Sequence, residues 1–267
     1  MPLDLLVVVK GAGDLATGVA CRLHRAGLAV VMTDVARPTA IRRTVAMAEA
    51  VYAGEVTVEG IRGRLVPGAR EAQAALADRV LPVLVDPEAR IVLDLHPQAV
   101  VDARMAKRNL GTHIHEAPAV IGLGPGFYAG RDVHAVVETL RGHDLGRVLL
   151  EGEAAANTGV PGIVGGQGEL RVLRAPAGGS FTALQHIGDP VSAGQTVAEV
   201  DGRPVVSALS GVLRGILHDG LPVHPGMKVG DVDPRGIRDY CFTISDKALS
   251  VGGGVLEAIL YLLHDRL

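Results

Sequence analysis

The chain has 267 residues, a mass of 27.7 kDa and a formal net charge of −3 at pH 7. With 48% apolar and 21% charged residues it can bury a sizeable core, which excludes disorder as its main state. Aromatics at 3%, without any Trp, exclude a base-stacking platform, and the slightly acidic balance gives no electrostatic drive toward nucleic acid or anionic lipid.

The first predicted element is a strand over Leu5–Val9, a continuous β-branched run of the kind buried on both faces in a parallel sheet. Lys10-Gly11-Ala12-Gly13-Asp14-Leu15-Ala16-Thr17-Gly18 follows at once, then a helix with Leu15, Val19, Leu23 and Ala26 on its apolar face and Gly27 as its C-cap. A second strand covers Leu28–Met32, and Asp34 stands at its end, 21 residues after Gly13. This order of strand, glycine turn, helix, strand and acid is the context a dinucleotide-binding turn requires. Gly11 permits the tight turn, Gly13 lets backbone approach a phosphate, and Ala16 lets helix lie close on strand. Thr17 lies within the same turn-and-helix start, and Asp34 is placed to hold a ribose hydroxyl. Asp14 complicates the picture. At a helix N-terminus a carboxylate suits the helix dipole, yet it repels a pyrophosphate seated on the same amides. It either caps the helix or faces a metal or hydroxyl group. Arg37, Arg42 and Arg43 follow, placed either to neutralise a phosphate or to face solvent.

Further strands are predicted over Val83–Val85, Ile91–Leu95 and Ala119–Leu123, with helical stretches near 38–52, 69–79 and 98–109. The alternation argues for a largely parallel sheet whose ligands sit at the carboxyl ends of its strands. Asp94, His96 and Pro97 then belong to the pocket rim. Gly122-Leu123-Gly124-Pro125-Gly126-Phe127 reads as a shaped loop between a strand and a helix, a candidate anion nest carried by Gly124 and Gly126. On that next helix His134, Glu138 and Arg141 share one face at i, i+4 and i+7, with His143 close by. They would hold a phosphate, a carboxylate or a metal, although an ordinary amphipathic helix with a solvated polar face explains the same stripe. His113, His115 and Glu116 lie nearby, but no metal-ligand spacing and no nucleophile elbow occurs, so no metal site and no catalytic residue is assigned.

Residues 151–162 are turn-rich and read as a long loop. Beyond them Gly188–Asp201 and Gly220–Asp233 match at seven of fourteen positions, at an offset of 32. Each copy reads as turn, short strand, glycine turn, short strand. The region around 167–235 resembles the barrel-sandwich hybrid fold of biotinyl and lipoyl carrier domains. The hairpin tip where carriers bear their modified lysine falls near Asp201-Gly202-Arg203, and no Lys occurs between Lys107 and Lys228, so a docking or structural role is expected. A final helix covers 244–266, and Gly252-Gly253-Gly254 inside it points to close packing against backbone. The predicted architecture is α/β: a Rossmann-like parallel-sheet domain over 1–163, a small all-β barrel-sandwich-hybrid module over 164–238, and a C-terminal helix over 239–267 packing back on the first domain. Cys21 and Cys241 are too few and too distant for a disulfide framework, no apolar run approaches the ~18–20 residues that span a bilayer, and Met1–Lys10 has no basic segment ahead of its apolar run. A cytoplasmic location without membrane or nucleic-acid partners is the expectation.

Lys10–Gly18, Arg37-Pro-Thr-Ala-Ile-Arg-Arg43, Gly122–Phe127, Glu138-Thr-Leu-Arg-Gly-His143 and Asn157-Thr-Gly159 together resemble the YqeB-type accessory proteins of selenium-dependent molybdenum hydroxylases, nearly end to end. The resemblance implies a maturation role for xanthine-dehydrogenase-like enzymes, with a molybdenum hydroxylase apo-enzyme or its maturation factors as partners. Joined to the glycine turn, it implies a ligand that is a nucleotide, NAD-like, or the molybdopterin nucleotide. An NAD-dependent oxidoreductase using His134 or His143 as general acid or base, and a non-catalytic assembly platform docking through its β module, are the rival expectations. A homo-oligomer is left open.

Overall fold

The computed structural model describes Leu5–Arg266. Residues 1–4, on which the leader reading partly falls, lie outside the described residues. The fold is mixed α/β, with one large, mostly parallel sheet, several small antiparallel sheets and few helices. The chain forms two units. One gathers residues up to Pro38, then Met47–Asn157 and Ile244 onward; the other gathers Thr39–Ala46 and Thr158–Thr243.

The first unit begins with β1 (Leu6–Lys10), α1 (Asp14–Arg25) and β2 (Ala29–Asp34). Then come α2 (Ala50–Ala53), β3 (Glu55–Val58), β4 (Ile61–Leu65), α3 (Ala69–Ala77), β5 (Leu81–Val85) and α4 (Ile91–Leu95). Next are β6 (Ala99–Asp102), β7 (Ala119–Leu123), β8 (Tyr128–Ala129), β9 (Ala135–Val137), β10 (Val148–Leu149) and β11 (Gly152–Glu153). The unit closes with the C-terminal helix α5 (Asp246–Leu262). Nine strands form one sheet in the order β10-β9-β7-β6-β1-β2-β5-β4-β3. Pairing is parallel from β4 across to β9; only the edge pairs β3–β4 and β9–β10 run antiparallel. Val7, Val8 and Val9 are fully buried, as a central parallel strand covered on both faces requires. The β3–β4 hairpin turns through Glu59 and Gly60, both at positive φ, which matches the right-handed twist of the flanking strands.

Several predicted elements differ. Ile91–Leu95 is a short helix rather than a strand. Asp86 organises the turn before it by accepting from Ile91 N–H at 2.9 Å, and Leu93 is 74% exposed, so the apolar run has only one buried side. The helix expected near 98–109 is β6 followed by a loop, because Val100 and Val101 fill the slot beside β1. The stretch 38–52 consists largely of single 3-10 turns, and its first part belongs to the second unit. Ala26 ends α1, with Gly27 turning the chain at φ +93.

Helix α5 starts at Ser245, whose Oγ accepts from Ala248 N–H at 3.2 Å. It lies along α1 through small residues. A Cβ on Gly18 would stand 2.6 Å from the Ala248 Cβ, and one on Gly252 would stand 3.0 Å from the Gly18 carbonyl. A Cβ on Gly254 would collide with the Gly146 carbonyl oxygen, whereas Gly253 faces open space. Both cysteines are free and buried, and burial pushes the Cys21 thiol up to about 12.

The second unit contains β12 (Val172–Arg174), β13 (Gly179–Ala183), β14 (Pro190–Val191), β15 (Thr196–Val200), β16 (Arg203–Val206), β17 (Gly211–Ile216), β18 (Pro222–Val223) and β19 (Lys228–Asp233). They form two four-stranded sheets, β12-β19-β17-β14 and β16-β15-β13-β18. Phe181, Val197, Leu213, Ile216, Leu217 and Val232 form the core. The internal repeat maps onto β14–β15 and β18–β19, and each copy sends its short strand to one sheet and its longer strand to the other. Asp201 and Gly202, at φ +45 and +79, make the tight turn between β15 and β16. The segment Thr39–Ala46 is held by Ile216 N–H donating to the Ile41 carbonyl at 2.7 Å, and Gly215 leaves room for that approach. Buried Arg42 donates to the carbonyls of Tyr240 and Thr243, and Arg43 Nε donates to the Ile216 carbonyl.

Two substitutions inside α5 separate packing from intrinsic helix preference. Gly253→Ala is expected to raise stability in urea unfolding by about 1 kcal/mol. Gly254→Ala is expected to lower it by roughly 1–3 kcal/mol, since its new methyl overfills the contact. Equal effects at the two positions would contradict the close approach of α5.

Candidate functional site

The chain leaves β1 toward β2 and β5, and later returns to fill the other side with β6, β7 and β9. The strand order therefore reverses between β1 and β6, and the crevice at their carboxyl ends is where open α/β sheets bind ligands. Lys10 and Asp102 end these two strands and are paired in register. Both are buried, at 4% and 2% exposure. Lys10 Nζ donates to Thr112 Oγ1 at 2.9 Å and to Glu116 Oε2 at 2.5 Å. Arg104 grips Asp102 with two nitrogens, at 3.1 and 2.5 Å. The Thr112 hydroxyl donates to Asp102 Oδ2 at 2.7 Å and also accepts from Arg104 Nη2 at 3.1 Å. One hydroxyl thus joins two ion pairs, using its single proton and both lone pairs.

The glycine turn sits directly beside this network. Gly11 has φ +101, and a Cβ there would stand 3.1 Å from the Ala103 backbone, so only glycine lets the two loops meet. Ala12 N–H donates to Asp34 Oδ2 at 2.8 Å, and Val35 N–H donates to Asp34 Oδ1 at 2.8 Å. Each oxygen of Asp34 retains an acceptor site for a ligand hydroxyl. Burial pushes the Asp34 carboxyl up, against the two backbone N–H groups that hold it down. Thr17 Oγ1 donates to the Ala12 carbonyl at 3.2 Å and accepts from Met47 N–H at 2.8 Å, a bracing role. Ala16 is buried where α1 lies on the sheet. Gly13 precedes the helix in an extended conformation, and nothing stands within 4 Å of where its Cβ would be. Asp14 opens the helix.

The middle segment departs from its sequence reading. Residues 135–137 are the strand β9, with Ala135, Val136 and Val137 all fully buried, so no helix aligns His134, Glu138 and Arg141. Along an extended chain His134 and Glu138 lie roughly 13 Å apart, against ~5–6 Å for helical neighbours. His134 exchanges hydrogen bonds with Val120 near the start of β7, its Nδ1 accepting at 3.0 Å, and so belongs to the opposite sheet edge. Burial, with His115 nearby, lowers its proton affinity. Asp94, His96 and Pro97 precede β6 and also lie at that opposite edge.

Glu138 does stand at the ligand edge, buried. Its carboxylate accepts from the N–H groups of Thr139, Leu140 and Ala155, each at 2.7 Å. Arg141 is held in a bidentate pair with Asp246, at 2.7 and 2.9 Å, and His143 is exposed. The Gly122–Phe127 loop follows β7 but leads to β8, not to a helix. Gly124 at φ +70 accommodates Thr139, and Gly126 at φ +111 accommodates the Arg108 backbone. Among the described residues no group of three or more His, Cys, Asp or Glu forms a metal cluster.

Sequence reasoning missed Asp102, Arg104 and Thr112, and gave Lys10 no role. A lysine and an aspartate ending two buried apolar runs were the available signal, because such charges are almost never buried unpaired. Thr112→Val keeps the shape but removes the bridging hydroxyl, and is expected to cost roughly 1–3 kcal/mol in urea unfolding. The exposed pair tested by Arg141→Ala is expected to cost under about 1 kcal/mol. The reverse ranking would contradict the network's importance.

No protein-family model matches the chain. A solved aspartoacylase family protein from Mesorhizobium loti shares 13% identity, with 86% of this chain and 84% of that one covered at a TM-score of 0.29. The ectoine utilization protein EutE (DoeB) from Ruegeria pomeroyi shares 10% identity over 86% of this chain and 85% of its own, at a TM-score of 0.27. No helix is long and apolar enough to cross a membrane among the described residues. In sequence, the chain is 49% identical over 259 residues to Escherichia coli (strain K12) YqeB, a protein itself described as uncharacterized; the match takes in 97% of this chain and 48% of that one. Over nearly all of its residues the chain is similar to that protein, and it spans about half the length of that relative.

Proposed function

We propose that the crevice at the carboxyl ends of β1 and β6 binds the nucleotide portion of a small molecule. The carrying observation is the open space at Gly13, beside the Gly11–Gly13 turn and α1, with Asp34 at the end of β2. Amides of the turn would meet a phosphate, and Asp34 would accept from a ribose hydroxyl. The Gly124–Gly126 loop lies at the same sheet edge and would border the ligand's other end. Together with the motif resemblance, this favours an accessory protein that handles a nucleotide-modified molybdenum cofactor for selenium-dependent molybdenum hydroxylases. A hydroxylase apo-enzyme or its maturation factors would be the partner. The oxidoreductase alternative loses support, since His134 lies at the other sheet edge and His143 is exposed.

Two finer readings of the fold accompany this proposal. The switch of strand order beside the glycine turn favours a Rossmann-like organisation for the first unit. The repeat that exchanges its strands between two four-stranded sheets favours a barrel-sandwich hybrid for the second, with docking as its role.

Native mass spectrometry of freshly purified protein, with identification of released small molecules, tests the function. The expected result is a nucleotide-bearing molecule, or an emptied protein that binds NAD or a nucleoside diphosphate in calorimetry. Gly13→Val should fold, because its side chain meets open space, and should weaken that binding at least about ten-fold, a change of 1.4 kcal/mol. A protein that purifies empty and binds none of these probes would overturn the proposal.

A further inference from the structure

Arg214 occupies an irregular place in β17. Leu213 pairs with Val232 of β19 and Gly215 with Asp231, so Arg214 is the extra residue of a β-bulge. Bulges re-aim a side chain and recur beside functional sites. Arg214 is only 7% exposed, yet its Nε meets no hydrogen-bond acceptor among the described residues. Its ion pair runs from Nη1 to Asp233 Oδ2 at 3.7 Å, too long for a hydrogen bond.

The carboxylates near it are already engaged. Arg235 grips Asp233 through Nε and Nη2, at 2.9 and 2.6 Å, and its backbone N–H donates to Asp233 Oδ1 at 3.1 Å. Asp231 is paired with Arg171. Arg42 adds a further positive charge alongside. Its Cγ stands 3.3 Å from where a Cβ on Gly215 would be, and its Nη2 donates to the carbonyls of Tyr240 and Thr243. Burial, followed by Arg42, weakens the hold of Arg214 on its proton, against Asp231 and Asp233. A buried cation with an unfilled donor is costly unless an anion meets it.

We propose that Arg214 anchors an oxyanion site in the second unit, the guanidinium edge that carries Nε donating to a carboxylate or phosphoryl group. Such an edge offers two parallel donors, spaced to match two oxygens of either group. Nη1 stays turned to Asp233, and Arg42 adds positive potential. Both arginines belong to the second unit, so the inference stands apart from the nucleotide reading.

Urea unfolding of the full chain tests it, with sodium phosphate or sodium acetate titrated against sodium chloride at constant ionic strength and pH. A ligand that binds only the folded chain raises the unfolding midpoint as its concentration rises. One of the two oxyanions should do so in the wild-type chain, and the stronger of them assigns the group. Arg214→Gln should weaken that apparent affinity at least about ten-fold, whereas Gly13→Val, in the first unit, should leave it unchanged. Should Arg214→Gln fail to fold, hydrogen exchange of the wild-type chain with and without the stronger oxyanion reads the site directly. Slowing is expected in peptides covering Gly211–Ile216. A midpoint that neither oxyanion moves, an equal response in Arg214→Gln, or slowing confined to the glycine turn would overturn the proposal.

Discussion

Lys10 and Asp102 sit side by side at the ends of strands whose apolar residues are buried on both faces, and the ligand edge of the sheet depends on their being neutralised. An unpaired charge in such a position costs several kcal/mol. Thr112, Arg104 and Glu116 meet that demand from the segment after β6, which carries these three residues to the two strand ends. The same demand fixes the path of the loop after β6. With Arg104 tied to Asp102, Ala103 and Arg104 lie against Gly11, and Gly11 must then be glycine. The loop continues to Arg108, whose backbone lies where a side chain on Gly126 would be. Two ion pairs joined by one hydroxyl thereby set the relative placement of three loops at one sheet edge.

Charge at this edge is balanced group by group. Asp34 is tied to Ala12 and Val35, Glu138 to three backbone N–H groups, and Arg141 to Asp246. Most polar side chains here shape the rim rather than wait for a ligand. The unfilled features are fewer: the space at Gly13 and the remaining acceptor sites of Asp34. A phosphate and a ribose would complement them.

The legible part of the sequence was the part governed by local chemistry. The glycine turn, α1, β2 and the position of Asp34 follow from a β-branched run, two glycines and a spaced acid. The repeat at an offset of 32 marked the symmetric half of the second unit. The illegible part was set by tertiary pairing. Ala135-Val136-Val137 was short enough to be read as one helical face, and the slot beside β7 made it a strand. Ile91–Leu95 had strand composition, but one exposed side and the turn at Asp86 made it a helix. That Thr39–Ala46 joins the second unit rests on contacts with residues more than 150 positions away, which no local pattern announces.

The location of the ligand is the central claim, and hydrogen-exchange mass spectrometry with and without a saturating nucleotide tests it most directly. The account predicts slowed exchange in peptides covering Lys10–Thr17 and Ala103–Thr112, with little change around His134. Slowing confined to residues 164–238, or to the edge that carries His134, would contradict it.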